Sequence, residues 1–281
     1  MLGPGLFGGP AMNPQTVQAG SYPVFAELLP GADIEEGRYR LGFARSAEEL
    51  AAIQRLRFEV FNLELHEGLA ESFETGLDQD RFDPYCHHLV VTERKGGTVV
   101  GTYRVQTSEM AAAHEGFYSA GEYQLERLPD AILSHAVETG RACVARAHRN
   151  RMVLFLLWKG LAAYMRSVQK RYLFGCCSLT SQDPVIARLT MDKLEADGKV
   201  HPEFRLPVQP GWGCYDADFS IPAERSKETV DLPRLFRTYL RYGAQVISEP
   251  ALDREFKTID YLVLFDLEQL DPASRAMFMG K

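Results

Sequence analysis

The segment VETGRACVARAHRNRMVLFLLWKGLAAYMRSVQKRYLFGCCSL, residues 137–179, decides the fold. Residues 137–144 have the composition of a strand, residues 149–169 predict a long and mostly apolar helix, and residues 171–179 return to strand. A helix that connects two strands of one sheet forms a crossover, which places the strands next to each other and parallel. The segment therefore predicts a parallel strand pair connected by a helix.

The flanking sequence predicts further helices and strands. Residues 46–49, Ser-Ala-Glu-Glu, have capping-box spacing and open a helix whose apolar residues recur at helical intervals as far as Leu63. Strand-like runs at 88–92 and 99–106 surround a Gly96-Gly97 turn, which is typical of an antiparallel hairpin. The remaining predicted elements are a helix at 183–196, which Asp183 can cap, a helix at 232–242 and a last strand at 259–267. Together they predict an α/β or α+β fold with a mixed, mostly antiparallel central sheet and flanking helices.

The two ends of the chain differ from this body. Residues 1–20 are rich in glycine and proline and carry no charged side chain, so they predict a loose leader. Residues 21–40 and 108–130 lack a clear period and are expected to be irregular. We expect a flexible leader over residues 1–40, one domain over 41–270 and a tail over 271–281.

Neither a membrane span nor a secretory signal is predicted. The longest apolar run, residues 152–158, ends at Lys159 and is far shorter than the roughly 18 residues that a spanning helix needs. The N-terminus lacks the basic region of a signal peptide. The five cysteines have no paired CxxC spacing, which fits a reduced cytosolic protein better than a disulfide scaffold or a zinc site. Cys176 and Cys177 are adjacent in a predicted strand and should face opposite sides.

Charge is unevenly distributed along the 281 residues. The net charge of −7 argues against a general nucleic-acid binder. Residues 141–171, however, contain eight Lys and Arg residues and no acid, a local charge of +8 that leaves −15 on the rest. Three of these arginines fall at the predicted start of the long helix, where free N–H groups favour anions. The strand, basic turn and helix together predict a site for a phosphate-bearing ligand or an acidic partner, and a solvated basic helix face is the plainer alternative.

The strand before that helix contains a candidate proton acceptor, Glu138. On a regular strand Glu138 and Arg141 would face opposite sides, unless a bulge near Gly140 changes the phase. Beside a cationic cluster Glu138 should stay ionised and accept a proton from an ammonium, directly or through water. A structural ion pair is the alternative interpretation.

Asp78, Asp80 and Asp83 form a dense acidic loop. It is either a solvated turn or a site for a cation or an ammonium group, and the spacing does not match a calcium loop. The sequence has no GxSxG, GxxxxGK[ST], HExxH or HxxxxD motif, so a nucleophilic serine or catalytic histidine is disfavoured. Acyl transfer by this chain would need direct attack of an amine on an activated acyl donor.

The ordered motifs resemble a known family. The strand, basic turn and helix are similar to the donor-binding motif of the GNAT N-acyltransferases, which implies a splayed parallel strand pair. The chain from about 41 to 267 resembles more specifically the ornithine N-acyltransferases, many of which carry the name hemolysin. The similarity rests on LRFEVF (56–61), DRFD (80–83), HLVV (88–91), VGTYR (100–104), GFYSA (116–120), ETGRACV (138–144), LLWKGL (156–161), FGCCSL (174–179) and LRYGA (240–244).

A related signature is that of the acyl-homoserine-lactone autoinducer synthases, which the same ordered charged residues also resemble. That family has a Trp after the first helix, and residues 62–71 contain none. The resemblance implies catalytic roles for Glu138 and Arg141. It implies amine-substrate roles for Arg57, Asp80, Asp83 and Arg104, with Arg104 or Arg141 binding a carboxylate or ordering the acidic cluster. It implies acyl-donor roles for Val144, Arg146, Arg149, Arg151, Met152 and Ser178, including an oxyanion contact from a backbone N–H near Val144.

The donor loop departs from the GNAT pattern. Residues 149–154 contain no glycine, whereas the usual loop wraps its glycine N–H groups around a CoA pyrophosphate. A loop without glycine suits the single phosphate of 4′-phosphopantetheine on an acyl carrier protein better than the pyrophosphate of CoA. An acidic carrier protein would also dock on the basic segment. Phe155, Trp158, Phe174 and Trp212 are candidates for an acyl-chain tunnel, with ordinary core packing as the stronger alternative.

We therefore expect an acyl-carrier-protein-dependent N-acyltransferase that moves a long, 3-hydroxylated acyl chain to the α-amine of an amino acid. The resemblance implies ornithine, and glycine, lysine, glutamine and serine stay open. No tightly bound cofactor, metal or nucleic acid is expected. The location is expected to be cytoplasmic, with peripheral contact to the inner membrane face. The alternatives are an autoinducer synthase, a CoA-dependent transferase of small acyl groups, or a non-catalytic module that binds anionic membrane surfaces.

Overall fold

The computed structural model describes residues 22–270, together with residues 272, 275 and 276. The predicted leader over 1–20 and most of the predicted tail lie outside the described residues. Within them the sheet has nine strands in the order β1-β2-β3-β4-β5-β6-β9-β7, and β8 pairs with β9 at the side. The strands are β1 (Ile34–Glu36), β2 (Tyr39–Phe43), β3 (His87–Glu93), β4 (Val99–Thr107), β5 (Ala136–Val144), β6 (Tyr172–Leu179), β7 (Gln245–Val246), β8 (Ala251–Asp253) and β9 (Thr258–Asp266).

The predicted parallel pair is confirmed, and it is short. β5 and β6 are parallel, whereas the other adjacent strands are antiparallel. Their pairing covers residues 136–138 against 172–174 and then stops. Gly175 lies where the strands separate, and a Cβ there would lie 2.1 Å from the Thr139 carbonyl oxygen. The close approach requires glycine at this position, and beyond it the two strands form an open fork.

The helices begin where local capping chemistry places them. They are α1 (Ala47–Phe58), α2 (Ser72–Thr75), α3 (Ser108–Ala113), α4 (Asp130–Leu133), α5 (Arg151–Val168), α6 (Pro184–Ala196) and α7 (Arg234–Arg241). The Ser46 side chain accepts from Glu49 N at the start of α1, and Asp183 accepts from Val185 N before α6. Both caps were predicted, because such side chains satisfy N–H groups that the first helical turn leaves free.

The sheet separates two apolar layers. The larger core contains the buried side of α5, together with Val137, Leu173 and Cys177 from β5 and β6. The alternate residues of the same strands, Ala136 and Phe174, join a second cluster on the opposite face, and Cys176 packs against it. The predicted opposite orientation of the two cysteines is therefore confirmed. The α1 helix covers another part of this second face, where Leu56 and Val60 pack on Cys143.

Three expectations about local structure are wrong. Residues 34–40 are not irregular, since they form β1 and the start of β2. Residues 108–113 form α3, which the Thr107 side chain caps by accepting from Met110 N. The first α-helix ends at Phe58 and continues as a π-helical turn, Glu59–Glu64. A π turn has one more residue than an α turn, so Leu63 leaves the apolar stripe and is 51% exposed.

Candidate active site

A pocket lies in the fork between β5 and β6. Its walls come from β4, β5 and β6, from the turn at Tyr118, and from β8 and β9. Charged residues in the walls are Arg104, Glu138, Arg141, Asp253 and Asp260. The cavity volume of about 70 Å³ suits a small polar group, not a long acyl chain.

Glu138 is held by the turn Tyr118–Gly121. One carboxylate oxygen accepts from Tyr118 N at 2.8 Å. The other accepts from Ser119 N at 2.8 Å and from the Ser119 hydroxyl at 2.6 Å. Burial raises the pKa of Glu138, and the hydrogen bonds from Ser119 and Tyr118 oppose this without cancelling it. The Arg104 charge also lowers this pKa but is the smallest of the causes, so neighbouring cations do not outweigh burial, and a raised pKa suits a proton acceptor.

A bulge places Arg141 in the same pocket as Glu138. The β4–β5 register pairs Thr102 with Cys143 and Arg104 with Gly140, so two residues of β5 oppose one residue of β4. Arg141 takes up the extra residue with a φ of 49°. This left-handed backbone is uncommon for a residue with a side chain and marks a constrained position. A bulge near Gly140 was the condition for Glu138 and Arg141 to face the same side of the sheet, and the structure has this bulge.

Five of the predicted site residues meet in one buried ion network, and Asp78 completes it. Arg57 on α1 contacts Asp78, and its Nη1 donates to Asp83 at 2.8 Å. Arg104 Nη1 donates to Asp80 at 2.6 Å and to Asp83 at 2.8 Å. Arg141 Nη2 donates to the other Asp80 oxygen at 2.9 Å, and its Nε lies 3.5 Å from Asp78. Three arginines thus balance three aspartates.

This network changes the role expected for the acidic loop. Asp83 is 1% exposed and is bonded to both Arg57 and Arg104. Burial raises the pKa of Asp83, but the Arg57 guanidinium and further hydrogen bonds hold it well below its usual value. Of the two roles considered for Arg104 and Arg141, the geometry matches the ordering of the acidic cluster. The solvated-turn alternative is wrong, because Asp78 and Asp83 are buried and the Asp80 side chain is only 11% exposed.

Sequence reasoning missed three other buried acids of this region, Glu122, Asp253 and Asp260. Asp253 and Asp260 line the pocket, and Glu122 accepts a hydrogen bond from the thiol of Cys176, another lining residue, at 3.5 Å. Burial raises the pKa of Asp260 to about 6, with the Ser178 and Thr258 hydroxyls opposing the shift. One signal was available: Asp260 interrupts the otherwise apolar run of β9.

The start of α5, the expected phosphate site, is already capped. The Asn150 side chain accepts from Met152 N at 3.0 Å and from Val153 N at 3.1 Å. Arg149 makes a paired contact with Glu64 at 2.6 and 2.7 Å, and its Nε donates to the Val144 carbonyl. Two of the N–H groups expected to be free at this helix start, those of Met152 and Val153, are therefore already bonded.

The basic segment 141–171 is largely neutralised in three dimensions. Its ion pairs are Arg141 with Asp78 and Asp80, Arg149 with Glu64, Lys159 with Glu36, Lys170 with Glu109, and Arg171 with Asp266 and Glu268. Among the described residues, Arg146 and Arg151 are exposed and make no ion pair. The expected docking surface with a charge of +8 is therefore reduced, at the start of α5, to these two side chains and the partly exposed Arg149; the eighth cation, Arg166, is exposed near the other end of the helix.

Two of the remaining residues predicted to bind the acyl donor, Val144 and Ser178, lie along the fork. Ala145 N donates to Val100 O of β4, so the neighbouring Val144 N points to the opposite edge, which faces the fork. Ser178 lies on β6, the other strand of the fork, and lines the pocket. Met152 is 38% exposed at the start of α5.

The four aromatic tunnel candidates do not lie together. Trp158 is buried in the larger core, whereas Phe174 and Trp212 belong to the cluster on the other face of the sheet. Phe155 is half-buried, with Lys159 Nζ 4.6 Å from its ring centre. A tunnel lined by all four is not formed, and the core-packing alternative holds for Trp158 and Phe174.

Within residues 22–270, no helix combines the length and the apolar character that a membrane crossing needs.

Comparisons with known proteins agree with this architecture. A family model described as an acetyltransferase (GNAT) domain matches residues 56–159. The L-ornithine N(alpha)-acyltransferase of Brucella abortus is 32% identical over 248 residues, 83% of this chain and 86% of the relative. The enzyme of the same name from Rhodobacter capsulatus is 31% identical over 246 residues, 85% of this chain and 94% of the relative.

Solved structures are more distant. The CoA-dependent acyl-homoserine lactone synthase BjaI is 14% identical with a TM-score of 0.44, over 83% of this chain and 81% of that chain. The predicted GNAT fold is confirmed by the family-model match and the splayed parallel pair.

Proposed function

The chain belongs to the L-ornithine N(alpha)-acyltransferase family and is an N-acyltransferase, and from this premise we propose that it acylates the α-amine of ornithine. The amine nitrogen attacks the thioester carbonyl carbon, a C–N bond forms, and the C–S bond breaks. The thiol leaves with a proton that the amine supplies. Family membership removes the alternative of a non-catalytic surface module, and the ornithine relatives favour an aminolipid over a homoserine lactone.

The observation that carries the proposal is the position of Glu138 in the fork. Its carboxylate is held by three donors of the Tyr118–Gly121 turn and lines the pocket where an amine would meet the donor thioester. A carboxylate with a raised pKa takes a proton from an ammonium more readily than an ordinary one. Glu138 accepts this proton, directly or through a water, and frees the amine to attack.

The oxyanion of the tetrahedral intermediate needs a hydrogen-bond donor near the scissile carbonyl. Val144 N points toward the fork from the same strand as Glu138. A backbone N–H at a fixed place costs little reorganisation during the reaction, so it suits a charge that develops only in the transition state. The thioester would lie between β5 and β6, with its carbonyl near Val144.

The donor proposed is a long-chain, 3-hydroxylated acyl group on the 4′-phosphopantetheine of an acyl carrier protein. The start of α5 offers Arg146 and Arg151, while Asn150 caps two of its N–H groups. Side-chain cations suit one phosphate, whereas a pyrophosphate needs several free backbone donors. Arg149, which pairs with Glu64 in the free protein, becomes a third cation for the phosphate of the acyl donor when that phosphate replaces Glu64 as its partner. This arrangement supports a carrier protein over CoA.

The product would have a single acyl chain and a charged head, so it would partition into a membrane. We place the enzyme in the cytoplasm with peripheral contact to the inner membrane face. The metal-free reaction uses this chain's residues alone, and no tightly bound cofactor takes part in the steps proposed.

The test is a reaction series read by mass spectrometry. Purified protein is mixed with long-chain acyl carrier protein or acyl-CoA and with each candidate amino acid in turn. We expect acyl-ornithine from the carrier protein, with lower turnover from CoA. E138Q should lower kcat by about 100-fold or more while carrier binding stays unchanged, because one proton acceptor is worth about 10²–10⁴ in rate.

The matched control is E126Q, which changes an exposed glutamate near the same turn. It should retain wild-type turnover. Wild-type turnover in E138Q would refute the role of Glu138, and no acylation of any amine would refute the function.

A further inference from the structure

The pocket region contains more buried negative charge than its arginines balance. Glu122, Glu138, Asp253 and Asp260 are 1%, 6%, 2% and 3% exposed. Within the described chain none of the four forms an ion pair, because the nearby arginines are engaged with Asp78, Asp80 and Asp83. Buried carboxylates are costly unless a cation or hydrogen-bond donors compensate them. Glu138 has three donors, and Asp253 Oδ1 accepts from Glu255 N and Phe256 N at 2.8 Å, so the uncompensated carboxyls are those of Glu122 and Asp260.

Two of these acids, Glu122 and Asp260, meet beside Cys176 of β6. Ligand atoms of Glu122, Cys176 and Asp260 all lie within 4.8 Å of one another. Glu122 Oε1 and Asp260 Oδ1 are buried and accept no hydrogen bond from the described residues. Each therefore offers a lone pair toward a donor that the polypeptide does not supply. Asp260 and Cys176 line the pocket itself.

The spacing from Glu138 fits the length of a diamino acid. In the β5–β6 register Glu138 is level with Phe174, and Cys176 lies two residues further along the same face of β6. Two residues of a strand span about 6.6 Å. The two nitrogens of ornithine are separated by four carbons, which is about 6 Å when extended.

We propose that Glu122 and Asp260 bind the side-chain ammonium of the amine substrate, with Asp253 adding negative charge beside them. This assignment rests on the proposed function, in which Glu138 serves the α-amine. An ammonium group is a compact charge that can donate three hydrogen bonds. Glu122 Oε1 and Asp260 Oδ1 are two buried oxygens without a donor among the described residues, and it could bond to both. The subsite makes the enzyme selective for dibasic amino acids, because a neutral side chain leaves the buried acids uncompensated.

The test compares ornithine with norvaline, which has the same carbon chain and no side-chain ammonium. We measure kcat/KM for both amines with D260N, E122Q and wild type, using one acyl donor. D260N and E122Q should lower kcat/KM for ornithine about 10–150-fold, which is what the loss of a hydrogen bond to a charged group, about 1.5–3 kcal/mol, gives at about 1.4 kcal/mol per tenfold. The value for norvaline should change less than threefold. E126Q is the control and should leave both values unchanged.

Equal losses for both amines would show that the two acids are only structural and would overturn the subsite. Unchanged values would overturn it as well. A stoichiometric metal in purified wild type that D260N loses, with activity dependent on it, would reassign the cluster to a metal.

A second measurement uses wild type alone and needs no turnover. Thermal unfolding should show stabilisation by ornithine and little by norvaline at equal concentration. If ornithine stabilises the protein but no amine is acylated, the proposed function fails and the subsite stands. If ornithine is acylated but stabilises no better than norvaline, the subsite fails and the function stands.

Discussion

Arg57 provides a direct test of the buried ion network. Its guanidinium is 0% exposed and is shared by Asp78 and Asp83, in the last turn of α1. The sequence resemblance implied a role in binding the amine substrate. The structure gives Arg57 two internal carboxylates instead, so the substitution R57L should act on stability first.

The expected loss follows from the contacts. R57L removes three hydrogen bonds to charged acceptors and leaves two carboxylates, 0% and 1% exposed, without this partner. Removal of one partner from a buried ion pair costs about 3–5 kcal/mol, mostly through the charge that stays behind. Arg104 and Arg141 still contact the orphaned carboxylates, which keeps the loss within that range. R57K keeps the charge but not the fork geometry, and should cost about 1–2 kcal/mol.

The assay is urea unfolding at pH 7.5, with R55L as the matched control. Arg55 is exposed on the same helix, two residues earlier, and its substitution should change the free energy of unfolding by about 0.5 kcal/mol or less. The double variant R57L/D78N should recover part of the loss, because one orphaned charge is gone. Equal stability of R57L and R55L, with a raised KM for the amine in R57L alone, would refute the structural role of Arg57.

Three other substitutions test local features. N150A removes the cap of α5 and should cost about 1 kcal/mol in urea unfolding, and no loss would contradict the cap. G175A places a methyl group 2.1 Å from a carbonyl oxygen at the start of the fork and should cost about 1–3 kcal/mol, whereas an unchanged melting temperature would be the contrary result. D260N concerns pH. Because the pKa of Asp260 is about 6 when folded and lower when unfolded, the carboxyl destabilises the folded chain increasingly as pH rises from 4 past 6. Between pH 4 and 7.5 the variant should gain about 2 kcal/mol relative to wild type, and a constant difference would contradict the shift.

Local chemistry made much of the fold predictable. Ser46 and Asp183 start helices because their side chains accept from N–H groups two or three residues later, within one turn of chain. The crossover through α5 dictates that β5 and β6 are parallel, whatever their partners are. The hairpin of β3 and β4 follows from strand composition on either side of a glycine turn.

The site was less predictable because its interactions join distant residues. Lys159 pairs with Glu36, Arg149 with Glu64 and Arg171 with Asp266, and nothing near the basic segment indicates these acids. The linear charge of that segment therefore overstated what an incoming partner would meet. Burial is equally hard to read from sequence, since Asp83 belongs to a polar loop that folds beneath arginines from α1 and β4.

Burial of acids beside the pocket also couples the binding of an ammonium group to the release of protons. Burial raises the pKa of Glu122 and of Asp260, so both carboxyls hold a proton more tightly than they would in water. An ammonium that enters stabilises the ionised carboxyls and displaces those protons into the buffer. At the proposed subsite, substrate capture would therefore exchange one cation for another, and the affinity for substrate would fall in acidic surroundings although the amine itself stays charged.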